Sequence, residues 1–394
     1  MAQSYPDIYH TIIIGAGASG LMCAGSFNAR KLVIDHNPAP GAKVKVSGGG
    51  KCNFSNTRIS AANYFSQNKH FCKNALAAYK NADFLKLLDD NHIPWTKTPS
   101  GQLFAHSAQD IVHLLTRRAQ QANSRLWLNT QVLRVRQETT GLYTVQTSRG
   151  KLSAQNVVLA TGGLSYPALG ASAFGIKTAR EMGLNIIEQT PALAGLCFTR
   201  DLRRQTAHLA GNSLPAHIQC GKFSYRGPLL FTHEGISGPA VLQASLFWNE
   251  GENITVNFLP DTDALAFLKE HKNSPKLFSS LLAEKISPKI TKALLGEGDV
   301  SAANASAACL QQAAQRLNHF VFIPQSTSGW TKAEVTRGGV DTKEINPSTM
   351  QCRRLPGLFI TGELLDVTGM LGGYNLQWAW SSGWAAAKTL EKIF

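Results

Sequence analysis

The chain has 394 residues, a hydrophobic fraction of 43% and 34 glycines, which suits an α/β protein with two or three domains. Its seven cysteines form no Cys-x-x-Cys pair and are odd in number. This pattern argues against a disulfide scaffold or a zinc site and favours a protein of the reducing cytoplasm.

The formal net charge of +14 is concentrated in the first half of the chain. Residues 1–190 contain 20 Lys and Arg against 9 Asp and Glu, whereas residues 191–330 contain 12 against 10. A bound dinucleotide would neutralise only about two of these charges. The surplus therefore indicates either a solvated basic face or a surface for a polyanionic partner such as RNA.

Two apolar stretches are predicted not to be membrane segments. The first contains the glycine-rich segment 15–20 and lacks a positive leader, since residues 1–10 carry only Asp7. The uncharged run 369–387 has about the length of a bilayer span, but Asn375 and Gln377 within it favour a buried helix. We therefore expect a soluble, cytoplasmic protein without membrane contact.

The β-branched run Thr11-Ile12-Ile13-Ile14 predicts a buried parallel strand that ends in a Gly-x-Gly-x-x-Gly turn. In such a turn the first glycine permits a tight bend, the second lets a pyrophosphate approach, and the third lets the next helix pack closely. That helix would direct its N-terminal N–H groups at the phosphates. The turn Gly15-Ala16-Gly17-Ala18-Ser19-Gly20 is thus predicted to bind a dinucleotide, either NAD or FAD.

The second predicted strand, residues 31–34, ends in Asp35. An acidic residue about 20 positions after the glycine turn can bind both ribose hydroxyls of a dinucleotide. The order strand, turn, helix, strand and acid therefore supports a dinucleotide site more strongly than the turn alone.

The remaining elements of the first half follow from periodicity and capping. Helices are predicted over residues 71–91, 107–123 and 173–182, and strands over 126–136, 142–148 and 156–160. The last of these strands runs into Thr161-Gly162-Gly163, a second place where backbone can approach a ligand.

The second half changes character at Pro191. Short β-type runs between 191 and 260 predict a small barrel, and residues 261–318 have a helical pattern. Strand patterns return at 332–336 and 358–361. We therefore predict a nucleotide-binding domain of residues 1–190 and 337–394, split by a barrel (191–260 and 319–336) and a helical insert (261–318).

Five stretches carry a family resemblance. They are Gly15-Ala16-Gly17-Ala18-Ser19-Gly20, Ser47-Gly48-Gly49-Gly50-Lys51-Cys52-Asn53, Ala160-Thr161-Gly162-Gly163, Phe231-Thr232-His233-Glu234-Gly235-Ile236-Ser237-Gly238-Pro239, and Gly362-Glu363-Leu364-Leu365-Asp366-Val367-Thr368-Gly369 with Gly372-Gly373-Tyr374-Asn375-Leu376-Gln377-Trp378-Ala379. Together they resemble the BaiN/RdsA-type FAD-dependent oxidoreductases, a branch of the glutathione-reductase-like flavoproteins. The resemblance covers nearly the whole chain.

The resemblance implies a split Rossmann-like FAD-binding domain, built from a parallel sheet and a β-meander, with an inserted β-barrel and a small helical domain. Characterised members are reductases of a steroid-like enone or of a uridine in large-subunit ribosomal RNA, and others are described as amine oxidases. FAD is the implied cofactor, and no metal ion is expected. No second Gly-x-Gly-x-x-Gly follows a strand, so NAD(P)H would bind transiently or another electron donor would serve.

The resemblance also implies individual contacts to FAD. Asp35 would lie at the adenosine ribose, and the backbone of Val132 would lie at adenine. His36 is implied as a further cofactor contact. Gly362, Glu363 and Asp366 would face the ribityl-phosphate region, with Asp366 accepting from a ribityl hydroxyl. The further residues implied are Lys43, the segment Ser47, Gly48, Gly49, Gly50, Lys51, Cys52 and Asn53, the segment Ala160, Thr161, Gly162 and Gly163, and Gly372, Gly373, Tyr374, Asn375 and Leu376.

Three departures from the family pattern are visible. Asp35 stands where Glu is usual, Lys51 stands where Arg is usual, and Gly170-Ala171-Ser172-Ala173-Phe174-Gly175 replaces a polar glycine turn. Because lysine lacks the planar fork of arginine, Lys51 keeps the charge but loses a bidentate contact. Trp378, Trp380 and Trp384 are interpreted as helix packing rather than as a platform for RNA bases.

Reduction of a uracil 5,6 double bond needs a hydride on one carbon and a proton on the other, so a general acid must lie within reach. Cys52 is the first candidate acid, although a small buried cysteine is an equal interpretation. His233 and Tyr374 are the other candidates. Three hypotheses follow: a flavin-dependent dihydrouridine synthase of 23S ribosomal RNA, a small-molecule enone reductase or amine oxidase, and a non-enzymatic RNA-binding flavoprotein.

Overall fold

The computed structural model describes residues 8–393. The chain divides into two compact units, Met1–Thr190 with Val335–Phe394 and Pro191–Glu334. The first unit is therefore formed by two distant parts of the chain, and the second by the segment between them.

The first unit is built on a seven-stranded sheet. Its strands lie in the order Ser124–Trp127, Lys31–Ile34, Ile8–Ile14, Gly150–Leu159, Tyr143–Thr147 and Val132–Gln137, with Leu358–Ile360 also paired to Gly150–Leu159. The strands around Ile8–Ile14 are parallel, whereas the last three form an antiparallel meander. The predicted parallel sheet with a meander is thus confirmed.

Helices pack on this sheet because its central strands are apolar on both faces, as Ala18–Ala24 and Ala108–Gln121 do. The other helices of the unit are Ala42–Val46, Lys73–Ala78, Asn81–Asp89, Phe174–Glu181 and Tyr374–Lys392. Trp378 and Trp380 of the last helix are buried, and their indole N–H groups donate to the carbonyl oxygens of Gly362 and Phe54. These two tryptophans are helix packing residues, as predicted.

Three small sheets complete the unit. They are Asn53–Asn56 with Gln102–Ala105 and Trp95–Lys97, Tyr64–Phe65 with Thr368–Gly369, and Ile186–Ala192 with Val335–Val340. The first of these holds the residues after the glycine segment 47–51 beside the start of the last helix.

The second unit has a seven-stranded antiparallel sheet. Its order is Phe320–Phe322, Ile254–Asn257, Ser213–Cys220, Phe223–Phe231, Gly235–Ser237, Leu196–Cys197 and Ser326–Thr327. Its helices are Arg200–Thr206, Pro239–Phe247, Ala264–Glu270, Phe278–Leu281, Pro288–Leu295 and Ala307–Asn318. Strands and helices share one hydrophobic core, and the subdivision into a barrel and a separate helical insert stays a prediction.

Two predicted elements of the first unit are divided in the structure, and the strand predicted over 156–160 begins earlier, at Gly150. The helix expected over 71–91 is two helices, because Tyr79 is extended and its carbonyl oxygen accepts from the side chains of Gln377 and Ser381 instead of from the next turn. The strand expected over 126–136 is also divided. Asn129 has a φ of +49° there, and the N–H of Thr130 donates to the carbonyl oxygen of Asp35.

Candidate functional site

The glycine turn after the first strand meets two different constraints. A Cβ atom on Gly15 would overlap the carbonyl oxygen of Ala160, and one on Gly20 would overlap the carbonyl oxygen of Gly15. A Cβ on Gly17 would have no atom of the described chain within 4 Å. The outer glycines are thus required by packing, whereas Gly17 faces open space of the kind that a pyrophosphate needs.

Asp35 supports this turn from the end of the second strand. Its Oδ2 accepts from the N–H of Ala16 at 2.7 Å, and its Oδ1 accepts from the N–H of Asn37 at 2.8 Å. A carboxylate oxygen can accept more than one hydrogen bond, so both oxygens keep capacity for ribose hydroxyls. His36 is exposed next to it, with Nδ1 3.9 Å from Asp35 Oδ1. The ribose contact of Asp35 stays a prediction.

Glu363 connects three distant segments at the same edge of the sheet. Its Oε2 lies 2.7 Å from Nζ of Lys43, while its Oε1 accepts from the N–H of Thr336 at 2.8 Å and from Oγ of Ser165 at 3.2 Å. Lys43 Nζ also donates to Ser165 Oγ at 2.6 Å. Lys43 and Glu363 are predicted separately as cofactor contacts, and in the structure they form an ion pair. Ser165 and Thr336 also hydrogen-bond to this pair, and no sequence pattern indicates these two contacts.

Three buried side-chain oxygens just after the strands Gly150–Leu159 and Leu358–Ile360 have no hydrogen-bond partner in the described chain. They are Oγ1 of Thr161, Oγ1 of Thr361 and Oδ1 of Asp366. The Asp366 carboxyl is only 1% exposed, and its Oδ2 accepts from the N–H of Gln67 at 2.9 Å. Burial raises the pKa of Asp366 above its usual value. Unsatisfied buried oxygens are costly, so a hydroxyl-rich ligand such as FAD fits this site.

The segment 47–51 presents backbone rather than side chains. Gly48, Gly49 and Gly50 have φ values of +58°, +66° and +85° and are exposed. A Cβ on Gly49 or Gly50 would meet no atom within 4 Å. The exposed Lys51 follows directly. This turn offers an open backbone surface with positive charge, which suits a planar ring system.

Cys52 ends this turn with its side chain inside the protein. Its thiol is 0% exposed, and burial raises its pKa to about 12, with a hydrogen bond from Ser47 acting in the opposite direction. Its φ is +54°, and its N–H donates to the carbonyl oxygen of Ser47. In this position the thiol reaches no surface on which a substrate could lie, which favours the small buried cysteine of the two interpretations.

The start of the last helix is held by close backbone contacts. Gly373 has a φ of +94°, and a Cβ there would overlap the carbonyl oxygen of Ser55. Asn375 closes the preceding loop, since its Oδ1 accepts from Gly369 N–H and its Nδ2 donates to Gly369 O, both at 2.8 Å. Tyr374 is buried, and its carbonyl oxygen accepts from the Tyr64 hydroxyl at 3.0 Å. Leu376 is half-buried in the next turn.

The other predicted residues lie in two places. Val132 is buried at the start of the meander strand Val132–Gln137, in the first unit. His233 is exposed in the second unit, between the strands Phe223–Phe231 and Gly235–Ser237. The motif around His233 has a clear local role, because Thr232 Oγ1 accepts from the N–H groups of Glu234 and Gly235.

Sequence reasoning missed two side chains beside the glycine segments, Gln102 and Phe104. Both are half-buried and belong to the strand Gln102–Ala105. Their alternation with buried Leu103 and Ala105 was visible in the sequence, but their nearness to Gly372 and Gly48 depends on strand pairing.

Comparisons with known proteins agree with this architecture. A family model described as HI0933-like protein Rossmann domain matches residues 9–389. The chain is 41% identical over 392 residues to the Ribosomal RNA dihydrouridine synthase of Escherichia coli (strain K12), across 97% of this chain and 98% of that protein. It is 26% identical over 400 residues to the 3-dehydro-bile acid delta(4,6)-reductase of Clostridium scindens, across 95% and 97%.

A solved structure with the same fold is the 3-ketosteroid-delta4-(5alpha)-dehydrogenase from Rhodococcus jostii RHA1. It aligns with a TM-score of 0.50 at 12% identity and covers 99% of this chain and 98% of that chain.

The fold, the glycine turn and these relatives define a Rossmann-type FAD-dependent oxidoreductase, and the choice between NAD and FAD is resolved in favour of FAD. More narrowly, the chain belongs to the HI0933-like family. Within residues 8–393, every helix falls short of the length and hydropathy that a membrane crossing needs.

Proposed function

We propose that this protein reduces a uridine of 23S ribosomal RNA to dihydrouridine. The observation that carries the proposal is the 41% identity, over nearly the full length of both chains, to a protein named Ribosomal RNA dihydrouridine synthase. The identity to the bile acid reductase is lower, at 26%. The chemistry is common to both relatives in outline, because each reduces a double bond in a ring.

FAD would be held by the residues described above and would supply the hydride. Gly17 leaves room for the pyrophosphate, Asp35 keeps acceptor capacity for the ribose, and the unpaired oxygens of Thr161 and Asp366 suit hydroxyls of the ribityl chain. Lys43 carries a positive charge that Glu363 and Ser165 hold in one position. These side chains would orient the cofactor.

A basic surface of the first unit supports an RNA partner. The strands of the meander place Arg134 opposite Gln146, and Gln146 opposite Lys151, while Arg136 follows Arg134 on the same face. All three basic side chains are exposed, and the alternating Val135 and Val145 are buried. We call Arg134, Arg136 and Lys151 the meander face. Such a row of cations fits the phosphate backbone of RNA.

The second candidate function is reduction of a small-molecule enone. It is favoured by the similarity to the bile acid reductase, and it would leave the meander face without a role in catalysis. An amine oxidase and a non-enzymatic RNA-binding flavoprotein are the remaining alternatives. The physiological electron donor is proposed to be NAD(P)H, bound transiently.

Dihydrouridine mapping of ribosomal RNA tests the proposal. RNA from cells lacking the gene is incubated with the FAD-loaded protein and NADPH or NADH, and dihydrouridine is mapped by its sensitivity to alkali. We expect one position in 23S ribosomal RNA to gain the modification. An unchanged uridine pattern, combined with turnover of a steroid-like enone, would support the second candidate instead. RNA binding without any flavin turnover would support the non-enzymatic alternative.

A further inference from the structure

Two neighbouring side chains of the strand Gln102–Ala105 form a small polar and aromatic surface. Gln102 and Phe104 are half-buried, whereas Leu103 and Ala105 are buried. Because side chains alternate between the faces of a strand, Gln102 and Phe104 lie on the same face. The strand pairs with Asn53–Asn56, which directly follows the glycine segment 47–51.

Gln102 lies beside the start of the last helix. Its Nε2 would be 2.9 Å from a Cβ atom on Gly372, which has a φ of +116° and therefore favours glycine. The neighbouring Asn56 donates to the carbonyl oxygen of Gly372 at 2.9 Å and holds this backbone in place. Within residues 8–393, the side-chain amide of Gln102 makes no hydrogen bond. Its NH2 group, with two N–H donors, and its carbonyl oxygen are therefore both available to a ligand.

Phe104 lies beside the glycine segment. Its ring carbon Cε1 would be 2.9 Å from a Cβ atom on Gly48, and the three glycines 48–50 are exposed. The ring is partly exposed, and no other aromatic ring of the described chain stacks on it. An aromatic face next to an exposed, side-chain-free turn leaves room for a flat ring.

We propose that Gln102 and Phe104 form the subsite that binds the uracil base. The ring of Phe104 stacks on the base, and the amide of Gln102 hydrogen-bonds the N3–H and an adjacent carbonyl oxygen. Single-stranded or flipped-out bases are bound in this way, by stacking on an aromatic side chain and by hydrogen bonds to the base edge. The inference rests on the proposed function, and it adds the residues that recognise the substrate.

The first test combines a variant with a substrate analogue. Gln102→Met keeps the length of the side chain but removes both hydrogen-bonding groups, and 3-methyluridine lacks the N3–H. The variant loses two hydrogen bonds between uncharged groups, each worth about 1 kcal/mol, so we expect kcat/KM for uridine-containing RNA to fall by about 30-fold in Gln102→Met. Replacement of the target uridine by 3-methyluridine is expected to reduce kcat/KM strongly for the wild type and much less for Gln102→Met.

The second test measures base stacking without turnover. 5-Fluorouridine 5′-monophosphate is titrated into the FAD-loaded protein and followed by its ¹⁹F resonance, which shifts when the base lies over an aromatic ring. The wild type and Phe104→Tyr are expected to shift the resonance at low ligand concentration, whereas Phe104→Leu should need a higher concentration for a smaller shift. Base stacking is worth about 1–3 kcal/mol, so we expect the dissociation constant to rise about 5- to 150-fold in Phe104→Leu.

Gln155→Met is the matched control, since Gln155 is exposed on the strand Gly150–Leu159 and lies outside the proposed subsite. Thermal unfolding and FAD content verify that each variant is folded and loaded. If the wild type forms dihydrouridine and Gln102→Met shows the full penalty for 3-methyluridine, the base subsite is wrong while the proposed function stands. If the wild type forms no dihydrouridine, the proposed function fails first.

Discussion

The ammonium of Lys43 and the carboxylate of Glu363 lie 2.7 Å apart although 320 residues separate them in the chain. Both groups also contact Ser165, at 2.6 Å from Lys43 and 3.2 Å from Glu363. The side chain of Lys43 is 38% exposed and that of Glu363 is 18% exposed, so water screens this ion pair only partly. It joins the two parts of the chain that build the first unit.

Removal of this charge is expected to weaken the fold and the cofactor site together. Lys43→Met leaves Glu363 without its cationic partner, so we expect a loss of about 1–2 kcal/mol in the free energy of unfolding. Lys86→Met is the control, because Lys86 and Asp90 form an exposed pair within one helix turn. Urea unfolding should give a smaller loss, below about 0.5 kcal/mol, for the control. Equal losses in the two variants would contradict a special role for Lys43.

The glycines of the first turn are expected to respond differently to alanine. Gly20→Ala places a methyl group against the carbonyl oxygen of Gly15 and should cost about 3 kcal/mol of stability. Gly17→Ala meets no protein atom and should unfold like the wild type, but its methyl group would obstruct the pyrophosphate. We expect FAD to bind at least about 10-fold more weakly, a loss of about 1.4 kcal/mol, by fluorescence titration. Unchanged FAD affinity in Gly17→Ala would place the pyrophosphate elsewhere.

Asp366 is expected to make stability depend on pH. Burial raises the pKa of its carboxyl above that of an unfolded aspartate. At pH values between these two pKa values, the folded protein therefore holds a proton that the unfolded chain has lost. The free energy of unfolding therefore falls as the pH rises through this window. Asp366→Asn removes this contribution, and urea unfolding of the apoprotein between pH 4 and 7 should show a flatter profile.

The exposed Asp201 provides the control, since Asp201→Asn should keep the wild-type pH profile. The Asp366→Asn variant should also bind FAD more weakly, because an amide replaces a carboxylate that has an unpaired buried oxygen. If the free energy of unfolding of Asp366→Asn depended more steeply on pH than that of the wild type, or if this variant bound FAD with unaltered affinity, this role of Asp366 would be contradicted.

Cys52 can be tested as the proton donor by a single substitution. Because its thiol is fully buried and its pKa is raised to about 12, we expect Cys52→Ala to retain dihydrouridine formation within about 3-fold of wild type. The small cavity should cost about 1 kcal/mol in stability. Single-turnover kinetics on pre-reduced protein would measure the chemical step. A loss of 100-fold or more with normal FAD content would restore Cys52 as the general acid.

The meander face is expected to contribute to RNA affinity through phosphates. Replacement of Arg134, Arg136 and Lys151 together by Gln should reduce the slope of log K against log salt by about 2–3, since each neutralised phosphate contributes about 0.7–0.9. The control replaces Lys269, Lys272 and Lys276, three exposed lysines of the second unit, and changes the net charge equally. The same slope change in both triple variants would indicate a non-specific effect of net charge.

Sequence patterns alone predict the class of protein and those parts of the site that depend on short-range geometry. The apolar strand ends at Gly15, and close packing requires a glycine at position 20. Both features depend on contacts within or next to one turn. The same applies to Ser107, whose hydroxyl accepts from the N–H of Gln109 at the predicted helix start. Such local patterns can be recognised without knowing where the rest of the chain lies.

The pairing of the polar groups follows from long-range contacts that no local sequence pattern reveals. The partnership of Lys43 with Glu363, the burial of the Cys52 thiol and the position of Gln102 beside Gly372 all depend on segments that are far apart in sequence. The break of the 71–91 helix at Tyr79 has the same origin, because side chains of the last helix take its carbonyl oxygen. Local propensity is weak compared with such long-range hydrogen bonds and packing, and it carries no information about which partners meet.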